Sequence, residues 1–155
     1  MSVSVIKSVQ KLPITIEQAW DFFSNPNNLL VITPPSLQLK VTNEVFGDEV
    51  YAGQIISYRV KPLLNISFYW MTEIKHVEKY KMFVDEQRKG PYALWHHQHH
   101  FKKIDGGMEM TDIVHYKNPL SFLGSIANKL FVSKKVNEIF EYRKVKIESL
   151  FGKMQ

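Results

Sequence analysis

Apolar residues recur at steps of three and four through the last third of the chain. Phe122, Ile126, Leu130, Val136, Phe140, Ile147 and Phe151 fall on one stripe of a helix with about 3.6 residues per turn, with one gap near Ser133. No Pro or Gly interrupts the run between Gly124 and Phe151. The spacing predicts one long amphipathic helix from Pro119 to Phe151. At about 30 residues it would be about 45 Å long, and so long a stripe needs a large cover.

The chain before it alternates with period two. Val3 to Leu12 reads as a strand that Pro13 ends. Thr15 opens a short helix with Gln18 as its capping-box partner, and Ile16, Ala19, Trp20 and Phe23 form the apolar face. Ser24-Asn25-Pro26 stops it, a second short helical turn spans Asn27 to Ile32, and Thr33-Pro34-Pro35 forces an extended exit. Leu37, Leu39 and Val41 alternate with polar residues as a half-buried strand, and Phe46 to Gly53 reads as a turn-rich connection. Gln54 to Val60 is a strand, Lys61-Pro62 marks a hairpin, and Leu64 to Val77 returns with Leu64, Ile66, Phe68, Trp70 and Ile74 facing one way. Tyr80 to Arg88 follows, Lys89-Gly90-Pro91 turns it, Tyr92 to Ile104 goes out, and Asp105-Gly106-Gly107 brings Met108 to Lys117 back. Connections this short force antiparallel neighbours. The expected fold class is α+β: a curved antiparallel sheet of about seven strands wrapped round the C-terminal helix, with two short helices after the first strand.

Composition changes this picture little. At 155 residues, one domain over 1–155 is expected. The chain has no cysteine, which excludes disulfides, thiolate catalysis and Cys-based zinc sites. No signal peptide and no membrane-spanning run is visible, so a cytoplasmic protein without stable membrane insertion is expected. The net charge of +5 comes from scattered lysines, without an aromatic-plus-basic strip, and no nucleic-acid partner is expected.

The candidate chemistry sits in one predicted strand. Alternation puts Trp95, His97, His99 and Phe101 on one face and His96, Gln98 and His100 on the other. The apolar brackets Trp95 and Phe101 turn His97 and His99 inward, so the four histidines are not one four-ligand site. A two-residue turn at Asp105-Gly106 pairs His99 with Asp112 and His97 with Val114. A turn at Gly106-Gly107 pairs His99 with Val114 and leaves Asp112 opposite Phe101, diagonal to His99. In both registers Asp112 and Tyr116 share the face of His97 and His99. Asp85 and Gln87 join them if their strand turns that way. Tyr58, Trp70 and Trp95 are aromatic candidates for a cavity wall. Arg143, one turn after Phe140, is either an exposed arginine or a partner of Asp85, Asp112 or a ligand carboxylate. The His/Asp set has four readings: a hydrogen-bonded ladder within the sheet, a polar patch that orients a ligand, a metal site, or a general acid–base pair of His99 with Asp112. Histidines at i and i+2 with one carboxylate are a weak metal pattern, and no metal and no cofactor is expected.

The element order is similar to that of the START-like, helix-grip superfamily, also called SRPBCC or polyketide cyclase-like. Phe83-Val84-Asp85-Glu86-Gln87, Gly90-Pro91-Tyr92, the run from Trp95 to Phe101, Met110-Thr111-Asp112, the run from Ile139 to Arg143, and Ile32-Thr33-Pro34-Pro35 carry a further resemblance. They resemble a bacterial subgroup often labelled cell-division inhibitor-like. The resemblance implies a cavity between sheet and helix that holds a hydrophobic ligand, and it implies no single reaction. The leading expectation is therefore binding of an apolar small molecule or lipid, through Tyr58, Trp70, Asp85, Gln87, Trp95, His97, His99, Asp112, Tyr116 and Arg143. The alternatives are a cyclase- or hydratase-like enzyme using the His/Asp set, and an interaction module without ligand. The break in the helix stripe at Ser133, with Asn137 one turn on, is where a cavity is expected to open.

Overall fold

The computed structural model describes residues 3–44, 47–63, 65–118 and 126–154, with backbone only at 63 and 126–129. Strand β1 (Ser4–Leu12) leads to helix α1 (Ile16–Phe23), two 3-10 turns (Pro26–Leu30 and Pro35–Leu37) and a short strand β2 (Lys40–Val41). Then come β3 (Ile55–Leu63), β4 (Ile66–Glu78), β5 (Met82–Lys89), β6 (Leu94–Ile104), β7 (Gly107–Lys117) and helix α2 (Ile126–Phe151). The seven strands form one antiparallel sheet in the order β1-β7-β6-β5-β4-β3-β2.

Local chemistry explains most of these elements. The Thr15 hydroxyl accepts from the Gln18 backbone N–H, and the Gln18 side chain accepts from the Thr15 N–H, which closes the capping box of α1. That fixes the helix over the sheet, where Trp20 is fully buried edge-on to Phe83 and Phe101. The β6–β7 turn uses Asp105 and Gly106, with Gly106 at φ +74°, so Ile104 pairs with Gly107 and His99 with Asp112. Gly107 is needed for a second reason: a Cβ there would lie 2.1 Å from the Leu12 carbonyl oxygen of β1.

The structure departs from the sequence pattern at four places. The β3–β4 hairpin does not turn at Lys61-Pro62. Pro62 lies within β3 beside a register shift between Val60 and Leu63, where its missing N–H costs no ladder bond, and Asn65 takes the left-handed position at φ +57°. Ile66 is consequently at the splayed end of β4 and is 52% exposed, while Trp70, Thr72 and Ile74 turn inward. The alternation from Leu37 to Val41 yields only a two-residue strand. Pro35 starts a 3-10 turn that ends in Gln38 at φ +47°, which breaks the pleat. Leu130 is 65% exposed, because six positions at about 100° each put it roughly 120° away from Val136. Val132, Val136, Phe140 and Ile147 are the buried stripe of α2. Residues 119–125, with Phe122, and Phe46 and Leu64 lie outside the described residues.

The core has two lobes. One gathers Leu12, Trp20, Phe23, Phe83, Phe101, Met108 and Ile147, and the other gathers Tyr92, Val114, Tyr116, Val132, Val136 and Phe140. Helix α2 joins both, and the polar residues considered below lie between them.

Ile147→Ala removes a side chain that is 1% exposed, and it is expected to cost about 2–5 kcal/mol. Leu130→Ala is expected to change stability by less than about 0.5 kcal/mol. Urea unfolding of both variants checks this assignment of the helix face.

Candidate functional site

Strand alternation delivers the central side chains. On β6, His97 and His99 are buried, while His96, Gln98 and His100 face the other way and form their own chain of contacts with Glu86. Asp112 on β7 is the direct cross-strand partner of His99, and Asp85 on β5 is that of His97. The contacts then run diagonally. His97 Nε2 donates to Asp112 Oδ1 at 2.9 Å and His99 Nε2 donates to Asp85 Oδ2 at 2.8 Å. Carboxylates only accept, so these two nitrogens carry the protons. His99 Nδ1 lies 3.0 Å from Asp112 Oδ1 but out of line for a hydrogen bond, and His97 Nδ1 lies 3.8 Å from Asp85 Oδ2. The two imidazoles sit 3.7 Å apart between centroids, and the far face of His99 stacks on Phe83 at 4.1 Å.

Helix α2 completes the set. Arg143, almost fully buried, places Nη2 3.7 Å from Asp112 Oδ1, and its Nε has no hydrogen-bond partner among the described residues. Burial raises the Asp112 carboxyl, but the Arg143 charge, the hydrogen bond from His97 and the close approach of His99 outweigh it and hold the group well below the usual carboxylate range. Burial likewise opposes ionisation of Asp85, yet His99 and then the charges around it keep that pKa low. The histidines diverge. Burial and the neighbouring His99 push His97 down, whereas at His99 the two carboxylates overcome burial and push it up. These directions favour two ionised carboxylates held between a protonated His99 and the Arg143 guanidinium, with His97 neutral.

This cluster forms one wall of a cavity of about 190 Å³. The sheet lines it with Ile56, Tyr58, Trp70, Thr72, Phe83, Asp85, Trp95, His97 and His99, and α2 with Ile139, Phe140 and Arg143. The third wall is the stretch after α1: Phe23, Asn28, Leu29, Thr33, Leu37 and Leu39. Asn28 Nδ2 donates to the Phe22 carbonyl and the Thr33 hydroxyl to the Leu29 carbonyl, which holds that stretch over the cavity. Asn28, Leu29, Thr33 and Leu37 are half-exposed, so the cavity meets solvent on this side. Trp70, Trp95 and Tyr92 contact one another edge-on or tilted at 4.8–5.6 Å and make the wall opposite.

The cavity thus brings together Tyr58, Trp70, Asp85, Trp95, His97, His99 and Arg143. Three other candidates do not line it. Asp112 stands behind the histidines, and Tyr116 is buried in the second lobe of the core. Gln87 holds the β5–β6 turn instead: its Nε2 donates to the Tyr92 carbonyl and its Oε1 accepts from the Tyr92 N–H. Neither Ser133 nor Asn137 lines the cavity. Val132 and Val136 close the sheet against α2 at that level, and the helix wall begins one turn later. Tyr92, Ile139 and Thr33, quoted from sequence only for the resemblance, and the rest of the 3-10 segment were not named as cavity residues. Only the Pro34-Pro35 pair signalled that the segment is held rigid.

No protein-family model matches the sequence, and no curated protein matches it. Solved structures do match its fold. Protein Ms6760 from Mycobacterium smegmatis is 16% identical with a TM-score of 0.66, over 97% of this chain and 96% of that one. Ara h 8.0201 is 12% identical with a TM-score of 0.63, over 96% and 99%. The chain has the START-like, helix-grip fold. Ginseng major latex-like protein 151 from Panax ginseng shares it at 12% identity and a TM-score of 0.58, over 90% of this chain and 95% of that one. At these identities the likeness is one of fold. Among the described residues, no helix of this helix-grip chain is long and apolar enough to cross a membrane.

Arg143→Met leaves Asp112 as a buried carboxylate without its cation, and it is expected to cost about 3–5 kcal/mol at pH 7. Adding Asp112→Asn should recover part of that loss. The folded-state pKa of Asp112 is depressed, so its contribution is present above the unfolded value of about 3.9 and is lost as pH falls toward the folded one. The gap between wild type and Arg143→Met should therefore shrink from pH 7 to about pH 3, as read by urea unfolding at both.

Proposed function

We propose that the chain binds a small, largely apolar molecule whose one polar end meets His97, His99, Asp85 and Arg143. The observation that carries this reading is the asymmetry of the cavity: aromatic and aliphatic side chains on most of its wall, and one charge-balanced cluster at one pole. Binding cavities of this kind combine an apolar body with a few placed polar groups. The volume narrows the class. A cavity of about 150 Å³ accepts one benzene ring, so about 190 Å³ suits a molecule of one or two rings, or a short branched chain. A long-chain lipid needs the 3-10 segment to move. Arg143 Nε, buried and unpaired, favours a carboxylate, phenol or carbonyl as the polar end.

Trp70 and Trp95 line the cavity, so tryptophan fluorescence reports occupancy directly. Titration with aromatic alcohols and acids of one to three rings should give saturable quenching at one molecule per chain for the small members and none for the three-ring ones. Ile139→Trp fills the helix wall and should abolish that quenching while the fold persists. If no member of the series quenches and native mass spectrometry finds no adduct, the reading is wrong.

A further inference from the structure

We propose that Asp85, His97 and His99 form a three-ligand site for a divalent transition-metal ion, with Asp112 as the carboxylate that orients His97. The sequence pattern of two histidines at i and i+2 is too common to carry this, and the geometry adds what spacing lacks.

One donor atom from each of the three residues lies within 4.8 Å of the others. Asp85 Oδ2 is 2.8 Å from His99 Nε2 and 3.8 Å from His97 Nδ1. Ligands bound to one ion at about 2.0–2.2 Å stand about 3.0–3.5 Å from each other, and the two distances bracket that range. Small side-chain adjustments bring them into it.

The other nitrogen of His97 decides its orientation. His97 Nε2 donates to Asp112 Oδ1 at 2.9 Å, while His99 Nδ1 lies 3.0 Å from the same oxygen without lining up for a hydrogen bond. A metal-bound histidine characteristically gives its free N–H to a carboxylate, which fixes the ring and the tautomer. Here Asp112 does so for His97, and His97 Nδ1 and His99 Nε2 are the nitrogens turned toward Asp85. Arg143 beside Asp112 keeps that carboxylate ionised without adding a donor to the three. In the metal-free molecule a proton between His99 and Asp85 occupies the place the ion would take.

Two imidazoles and one carboxylate suit zinc or iron(II), and three protein ligands leave coordination positions open. All three residues line the cavity, so the open positions face it. An oxygen at the polar end of a bound molecule would complete the coordination. The metal site stands without that molecule, and the two are tested separately.

The test is titration of chelator-treated protein with Co²⁺, followed by competition with Zn²⁺, with no organic ligand present. Wild type should show visible cobalt bands of a low-coordinate site that saturate at one ion per chain, and Zn²⁺ should abolish them. Asp85→Asn and His99→Gln should lose the bands. Asp112→Asn should keep the stoichiometry and weaken affinity by about 10- to 100-fold. His96→Gln, on the outer face, should bind as wild type does. Circular dichroism identifies any variant that fails to fold. The wild-type result decides independently of the variants: absence of one-to-one binding overturns the proposal, as does binding lost in His96→Gln but kept in Asp85→Asn. The fluorescence titration, run without metal, decides the apolar-ligand reading by itself.

Discussion

Two ionised carboxylates between a sheet and a helix must be neutralised where they stand. Their burial without partners would cost several kcal/mol each. Asp85 and Asp112 come from the sheet, His99 supplies one balancing charge from the strand between them, and the other comes from Arg143 on α2. Apolar burial alone sets the helix on the sheet loosely, since it has no direction. The single cation sets it in rotation and in register. The pose that buries Phe140 and Ile147 is also the one that brings Arg143 to Asp112.

The same constraint keeps the interior from closing. A polar cluster at one pole cannot be packed against aliphatic side chains without stranding its donors and acceptors. The helix grips the sheet tightly at Val132 and Val136 and again at Ile147, and between those two grips Ile139, Phe140 and Arg143 face open space. Edge-on aromatics hold the opposite wall apart, because Trp70 and Trp95 meet at an interplanar angle of 84° rather than filling the gap. The space is thus bounded by parts that cannot collapse into it.

Much of this was legible in the sequence, and the failures have physical reasons. The element order, the α1 capping box, and the shared face of His97, His99 and Asp112 followed from turn chemistry and alternation, while the register between the two possible turns was left open. The inward face of His97 followed from its aromatic brackets. Asp85 was left open because two register shifts between β4 and β5, together with the β5–β6 turn, set its phase. Gln87 sits one alternation further along and spends its amide on that turn, which no spacing rule reveals. Leu130 was misplaced because the stripe was carried across a step of six, which no helix face allows. The third wall was missed because, beyond Phe23, its residues lie in two 3-10 turns and the irregular stretches beside them, whose side chains obey neither period.

The order of the strands has a consequence for how the molecule forms. The β6–β7 hairpin is closed by a two-residue turn, so His97, His99 and Asp112 meet through local contacts. Strand β1 pairs with β7 across nearly the whole chain, Ser4 opposite Tyr116, and Arg143 arrives later still. Contacts of such long sequence separation are slow to close. A half-formed chain therefore holds Asp112 beside its histidines before the arginine is present. Docking of α2 against β1, where the Gln10 side chain donates to the Lys144 carbonyl, spans a longer separation still and is the packing that sets Arg143 beside Asp112.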